Sequence, residues 1–379
     1  MVIRSTSDTD LDPGRAGVDP RLPIYLVTGE GGASKLALLE RFANCDQRET
    51  PYAFVITDPS SWSAISAGGE RILPTPEMVR ISSGKVCCYG GDDPVHAFHQ
   101  LHLRKLGLLS PSLDYDAVVV DVGAQFETGN FSAVVQNDTR LDVTYRIAGI
   151  LHAVDAGGQS IRKDASRQRW IGEADTIVLT QTEECDADSL LAITTTVSSL
   201  NPLAAIEEID TLQADSFHPW RIAPGDFNDY GAERLARETG MVQVSRPGEP
   251  ISVTVSNLYG DARSNEPDGQ AVGRAMRVHI PGEVDLSAVM RSIETLCISY
   301  GPDLLRLSAA LNARHADHPV AIDVIGGTLL HPSYHSREPR TDSDISIVAR
   351  GLDIPAAVRE FRQCCWTSPS TAERMGAAL

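Results

Sequence analysis

The sequence predicts an α/β fold: a P-loop NTPase-like, mostly parallel sheet with flanking helices, followed by a smaller C-terminal α+β domain. Three observations carry this prediction. Short apolar runs at 22–28, 52–58, 115–124, 147–155 and 176–180 alternate with helical stretches. These runs are apolar throughout rather than at every second residue, which is the mark of strands buried on both faces. The first run ends in a glycine-rich turn that opens into a helical pattern, and past residue 272 the strands begin to alternate instead.

Residues 1–21 are polar, rich in Asp, Pro and Gly, and read as a disordered lead-in without the apolar core of a signal peptide. The strand, turn and helix over 22–42 then form an altered phosphate-binding loop. An intact loop reads Gly-x-x-x-x-Gly-Lys-Ser/Thr, because backbone N–H groups wrap the phosphates, a lysine reaches them and a hydroxyl holds Mg²⁺. Here Gly29 and Lys35 stand in place, but Ser34 replaces the second glycine and Leu36 the hydroxyl residue. Gly31 and Gly32 keep the turn adaptable, so the expected cradle is Gly29, Gly31, Gly32, Ala33, Ser34, Lys35 and Leu36. With no oxygen at Leu36, Mg²⁺ loses a ligand where charge develops, so hydrolysis should suffer more than binding.

The run 52–58 ends in Asp58, which reads either as a carboxylate facing the ligand crevice or as a loop cap. The segment 82–91 is rich in turn residues and carries two adjacent thiols, Cys87 and Cys88. Thiolates of that kind bind zinc, although two do not complete a tetrahedral site, so Cys87, Cys88 and Asp58 form the candidate metal set. His96, His99 and His102 recur every three residues on a predicted helix and read first as a solvated face. The run 115–124 contains Asp121 at the position where a phosphate-loop protein presents a carboxylate to Mg²⁺ or its waters, and Asp121 and Lys35 are the candidate catalytic pair. After the strand at 176–180, Gln181 and Glu183 fall where a GTPase keeps Asn-Lys-x-Asp to read guanine. Glu183 keeps the charge on a side chain one methylene longer. The helix over 188–200 ends at Asn201-Pro202, and the sheet domain closes at residue 225.

Residues 226–272 read as a helix, Gly231 to Thr239, and a Pro/Gly/Asp-rich linker, which predicts two independently folded units. The second domain spans 273–366, with a capped helix at 285–297, strands at 275–280, 321–325 and 344–350, and a closing helix at 354–364; 367–379 is a tail.

Acidic residues outnumber basic ones, 51 to 33, for a net charge of −18, which argues against nucleic acid and anionic membranes as partners. No apolar run approaches the roughly 20 residues that span a bilayer. The seven cysteines follow no disulfide-framework spacing, so reduced thiols and a cytoplasmic location are expected.

Taken together, the pieces over 22–365 resemble the CobW family of GTPases, relatives of HypB and UreG. The family opens with Thr-Gly-x-x-Gly-x-Gly-Lys-Thr-Thr-Leu-Leu, matched by Thr28-Gly29 through Lys35-Leu36-Ala37-Leu38-Leu39. Its Gly-Cys-x-Cys-Cys motif is matched by Gly84-Lys85-Val86-Cys87-Cys88, with Lys85 in place of the first cysteine. The family's Asn-Glu pair corresponds to Thr57-Asp58, and its Glu-Thr-x-Gly to Asp121 and the residues after it. Its C-terminal Gly-Asp-Leu-Leu-Arg is matched by Pro302-Asp303-Leu304-Leu305-Arg306, and its Arg-x-Leu-Asp by Arg350-Gly351-Leu352-Asp353. The resemblance implies GTP with Mg²⁺ and Zn²⁺ as cofactors and a client metalloprotein as partner, and it leaves room for a homo-oligomer. The departures at Ser34, Leu36, Lys85 and 180–183 imply a divergent member with weak or lost hydrolysis. The alternative is a non-catalytic pseudo-GTPase that regulates or pairs with an active paralogue, and a third reading, from the altered guanine motif, is that the sheet domain binds another nucleotide or none.

Overall fold

The computed structural model describes residues 19–29, 33–45, 52–74, 77–81, 83–124, 126–158, 161, 164–210, 218–219, 241–243, 251–256, 273–334 and 341–366. Nine strands form the first sheet: β1 (Leu22–Gly29), β2 (Tyr52–Ile56), β3 (Glu70–Pro74), β4 (Glu77–Arg80), β5 (Val86–Tyr89), β6 (Ala117–Asp121), β7 (Tyr145–Asp155), β8 (Thr176–Thr180) and β9 (Ala205–Glu208). Their order is β3-β4-β5-β2-β6-β1-β7-β8-β9. Strands from β5 to β9 pair in parallel, and β3 and β4 extend one edge antiparallel.

The uniformly apolar strands are explained by burial of both faces. On β1, Ile24 and Leu26 pack with Phe98, Phe131, Ile171 and Val197, while Tyr25 and Val27 pack with Leu38, Phe42 and Trp62. Helices α1 (Ala33–Asn44) and α2 (Pro59–Ile65) therefore cover one face. Helices α3 (Pro94–Lys105), α4 (Thr128–Asn137), α6 (Ala165–Glu173) and α7 (Ala187–Leu200) cover the other, with the short α5 (Thr139–Thr144) between. Part of the acidic surplus is spent on helix starts. Asp58, Asp93, Asp138, Asp164 and Asp186 each accept a backbone N–H at the N-terminus of α2, α3, α5, α6 and α7, where a carboxylate also meets the positive end of the helix dipole.

The second sheet is antiparallel, in the order β10-β11-β12-β17-β13-β14-β15, with β16 beside β14. Its strands are β10 (Met241–Gln243), β11 (Ser252–Ser256), β12 (Gly273–Pro281), β13 (Leu304–Leu311), β14 (Val320–Ile325), β15 (Thr328–Leu329), β16 (Ser333–Tyr334) and β17 (Asp342–Arg350). Helices α8 (Leu286–Tyr300) and α9 (Ile354–Trp366) pack Val289, Ile293, Leu296 and Phe361 against Leu307, Ile345 and Ile347 on one face. β10 and β11 lie inside the stretch read as a linker, so this sheet begins before residue 273. The helix expected at 231–239, the lead-in before residue 19 and the tail from 367 lie outside the described residues.

The two sheets are not joined by a linker alone. Arg306 on β13 is buried between Asp175, just before β8, and Asp323 on β14, at 2.9 Å from each carboxylate. Leu305 packs against Gly172, where an added Cβ would sit 2.3 Å from its side chain, and Ile325 and Leu330 belong to the core of the first sheet. The two sheets are thus in direct contact through a buried ion pair and apolar packing. Among the described residues, no helix is long and apolar enough to cross a membrane.

Candidate functional site

In parallel strands the carboxyl ends share one edge, and the register sets Asp121 beside both Val27 of β1 and Ile56 of β2. Asp58, just past β2, consequently meets Asp121, its backbone N–H 3.4 Å from Asp121 Oδ2, while Gly29 at the end of β1 leads toward α1. Lys35, in the first turn of α1, turns into this corner rather than out to solvent and is 1 % exposed. Its Nζ lies 2.7 Å from Asp121 Oδ1 and 3.2 Å from Asp58 Oδ2. Two of the sequence candidates from separate strands and one from a helix thus converge on a single point.

The corner is braced by neutral hydrogen bonds. Thr57 Oγ1 donates to the Asp121 carbonyl at 2.7 Å and accepts from Gly123 N at 2.8 Å, locking the ends of β2 and β6 together. Asp58 Oδ1 accepts from Ser60 N and Oγ at 2.8 and 2.6 Å while Oδ2 faces Lys35. The two carboxyls are held differently. Full burial pushes Asp121 above the ordinary carboxylate range, against the pull of the Lys35 ammonium, with further hydrogen bonding from Ser61. Asp58 is only partly buried, and although burial opposes ionisation, the Ser60 hydrogen bonds and Lys35 hold it below that range. Thr57 stands in the sequence only as the counterpart of the family's Asn, and Ser61 carries no motif of its own; the approach of β2 to β6 makes both part of the site.

Of the other cradle residues, Gly29 has φ +149° and abuts the Ala153 carbonyl, so a side chain there would be strained. Ala33 is exposed, Ser34 is buried, and Leu36 is half-buried against the apolar cluster beneath α1. Gly31 and Gly32 lie outside the described residues. Gln181 follows β8 in the left-handed region at φ 58°, and Glu183 is exposed in the 3₁₀ turn Thr182–Glu184. Between them Thr182 Oγ1 donates to Asp210 Oδ2 at 2.8 Å, which pins the turn to the end of β9.

The candidate metal set is not assembled. Cys87 and Cys88 sit in β5, not in a polar loop, and consecutive strand residues point to opposite faces: Cys87 enters the core under α1, Cys88 the core under α3. Both are completely buried, and burial pushes Cys88 up to about 12 and Cys87 higher still, away from the thiolate that a metal needs. Asp58 is engaged with Lys35, and among the described residues no group of three His, Cys, Asp or Glu stands ready for an ion. Lys85 fills the interior beside Cys87. Its ammonium donates to the carbonyls of Cys45 at 2.5 Å and Ala43 at 3.3 Å, at the C-terminal end of α1, and lies 5.1 Å from the Tyr52 ring centre. It therefore acts as a buried cationic cap on that helix. The histidines of α3 do not converge either: His99 Nε2 pairs with Asp138 at 2.9 Å and His96 is exposed.

The model of the family described as CobW/HypB/UreG, nucleotide-binding domain, matches residues 23–208. Among solved structures, the chain is similar to the Zn(II)-bound YjiA GTPase from E. coli, with a TM-score of 0.59 and 17 % identity over 91 % of this chain and 99 % of that one. A Zn(II)-bound triple mutant of YjiA GTPase gives a TM-score of 0.58 at 15 % identity, over 91 % of this chain and 99 % of the mutant chain. At such identities the likeness is one of fold, and it extends across both sheets.

Proposed function

Residues 23–208 belong to the CobW/HypB/UreG nucleotide-binding family, and from that premise we propose that the chain binds GTP in a metal-homeostasis role and hydrolyses it weakly. The observation that carries the reading is the convergence of Lys35 with Asp58 and Asp121 at the strand ends. This is where phosphates and their cation meet in a phosphate-loop protein. Lys35 binds a phosphate oxygen, and the N-terminus of α1 adds its backbone N–H groups. Two converging carboxylates are hard oxygen donors of the kind Mg²⁺ takes, so the residues fit that ion, with Asp58 and Asp121 holding it or its waters. Mg²⁺ supplies charge neutralisation at the transferring phosphate when bound. Leu36 contributes no oxygen, and this omission is the reason for slow hydrolysis.

Zinc enters the reading through the Zn(II)-bound GTPase structures to which the fold is similar. The residues expected to hold it do not fit, because Cys87 and Cys88 face opposite cores. No zinc-binding step is assigned to them. A non-catalytic pseudo-GTPase acting on a client metalloprotein is the second reading, favoured by the apolar packing of Leu36.

Calorimetry of the full chain with GTP, GDP and ATP in Mg²⁺ separates these readings, combined with single-turnover phosphate release. Micromolar GTP binding with slow release supports the first. Binding without any turnover supports the second, and no binding of any nucleotide overturns both.

A further inference from the structure

The Lys35 side chain that should meet a phosphate is already committed. It is enclosed to 1 % exposure and bridges Asp121, itself 0 % exposed, and Asp58 at 15 %. To reach a phosphate the ammonium must leave this pair. Asp121 would then be a buried carboxylate facing Asp58 with no cation between them, and a buried charge stripped of its partner is strongly unfavourable. A hydroxyl on residue 36 would have given the incoming ion a ligand outside the pair, but Leu36 gives none. The carboxylate pair is thus both the resting place of the lysine and the set of side chains left to receive the ion.

We infer that Asp121 and Asp58 hold Lys35 as an internal cation, so that nucleotide capture is an exchange in which a divalent ion enters the carboxylate pair as the ammonium leaves it for the phosphates. No covalent bond changes; one cation replaces another. The inference rests on the phosphate-site reading above and deepens it: nucleotide and divalent ion bind as an obligate couple, and nucleotide alone is excluded by the lysine's own counter-ions. A Mg²⁺ ligand role by itself predicts that removing Asp58 or Asp121 weakens nucleotide binding in Mg²⁺ and leaves it unchanged in EDTA. The exchange predicts tighter binding when metal is absent, because a neutral side chain no longer retains the lysine.

The test is equilibrium binding of a fluorescent GDP analogue to the full chain in EDTA and in millimolar Mg²⁺. It is run on wild type, Asp121→Asn and Asp58→Asn, with thermal melts to show that each is folded. Asp58 is partly exposed, so its variant keeps the test available if Asp121→Asn does not fold. Wild type should bind at least about tenfold tighter with Mg²⁺, since one displaced buried charge is easily worth the 1.4 kcal/mol of a factor of ten. The Asn variants should bind severalfold tighter than wild type in EDTA and lose most of the Mg²⁺ enhancement. Equal wild-type affinity with and without Mg²⁺, or binding by folded Asn variants in EDTA that is no tighter than that of wild type, overturns the exchange while leaving the phosphate site in place. Absence of binding by wild type but binding by the Asn variants supports it in its strongest form. Absence of binding by all three overturns both the exchange and the reading beneath it.

Discussion

Arg306 Nε lies 2.9 Å from Asp175 Oδ1 across the boundary between the two sheets, with both side chains almost completely enclosed. Asp175 uses its other oxygen to accept Ile150 N at 2.8 Å, so the pair ties β13 of the second sheet to the middle of β7 and the start of β8 in the first. Arg306 is the arginine of the segment that matches the family's Gly-Asp-Leu-Leu-Arg, and the structure gives that segment a docking role. Replacing Arg306 by Met would leave the buried carboxylate of Asp175 facing the partly buried one of Asp323. Losing one partner of such a pair costs about 3–5 kcal/mol. Denaturant unfolding should show that loss in a single cooperative transition, and adding Asp175→Asn should recover part of it. Two separated transitions in the wild type would mean that the sheets do not fold as one unit.

Much of the first sheet was legible because its central strands are apolar on both faces. The second was less so. Leu304–Leu311 is buried at every position, which left it without the alternation of a half-exposed strand, and β10 and β11 are short runs set among Pro and Gly. At the site, Lys35 and Asp121 could be picked from spacing alone, but their distance from each other could not. The thiols were misplaced because Gly84 and Gly90-Gly91 surround only four strand residues, Val86–Tyr89, so turn chemistry outweighed the strand signal. Asp58 turned out to be both of the things it could be, a cap for α2 and a partner of Lys35.

Hydrolysis should respond to the loop itself. Leu36→Thr restores a metal-binding oxygen and Ser34→Gly restores backbone freedom at the turn, so the double variant should release phosphate from GTP at least about tenfold faster than wild type. Leu36 also packs on the cluster under α1, and its loss should lower stability modestly. Single-turnover assays with matched GTP occupancy would check this. A double variant that binds GTP and turns it over no faster than wild type would place the defect elsewhere in the site.

The buried thiols should be silent in the native protein. Cys87 and Cys88 are fully enclosed and protonated well above neutral pH, so a disulfide reagent at pH 8 should modify neither until the chain unfolds. The raised values also set a direction for alkaline stability. The folded state favours the neutral thiol, so this contribution is complete below the unfolded pKa near 9 and is lost as pH rises toward about 12 for Cys88. Cys88→Ala should flatten the fall of the denaturation midpoint above pH 9. It should also leave zinc stoichiometry unchanged, and a loss of bound zinc in a folded Cys87→Ser/Cys88→Ser variant would contradict the placement of these side chains.

Acid should act on the first sheet through His152. Its ring is 2 % exposed on β7, with Nδ1 2.9 Å from Thr28 Oγ1 and the Trp170 ring beside it, and burial pulls its pKa from 6.5 down to about 3. The folded state thus holds a neutral imidazole where the unfolded chain holds an imidazolium. The stabilising difference is complete above pH 6.5 and disappears as pH falls toward 3, with a limiting slope of about 1.4 kcal/mol per pH unit for one proton. Burial also holds His102 below 6.5, so between pH 6.5 and about 5 it contributes beside His152, and the difference between wild type and a His152 variant reads His152. His152→Leu removes the titrating group, and Thr28 retains the Leu151 carbonyl as an acceptor at 3.2 Å. Urea midpoints of wild type should decline more steeply across that window than those of His152→Leu, even if the variant starts from a lower value. Parallel declines in the two proteins would assign the acid sensitivity to another buried group and leave His152 a purely packing residue.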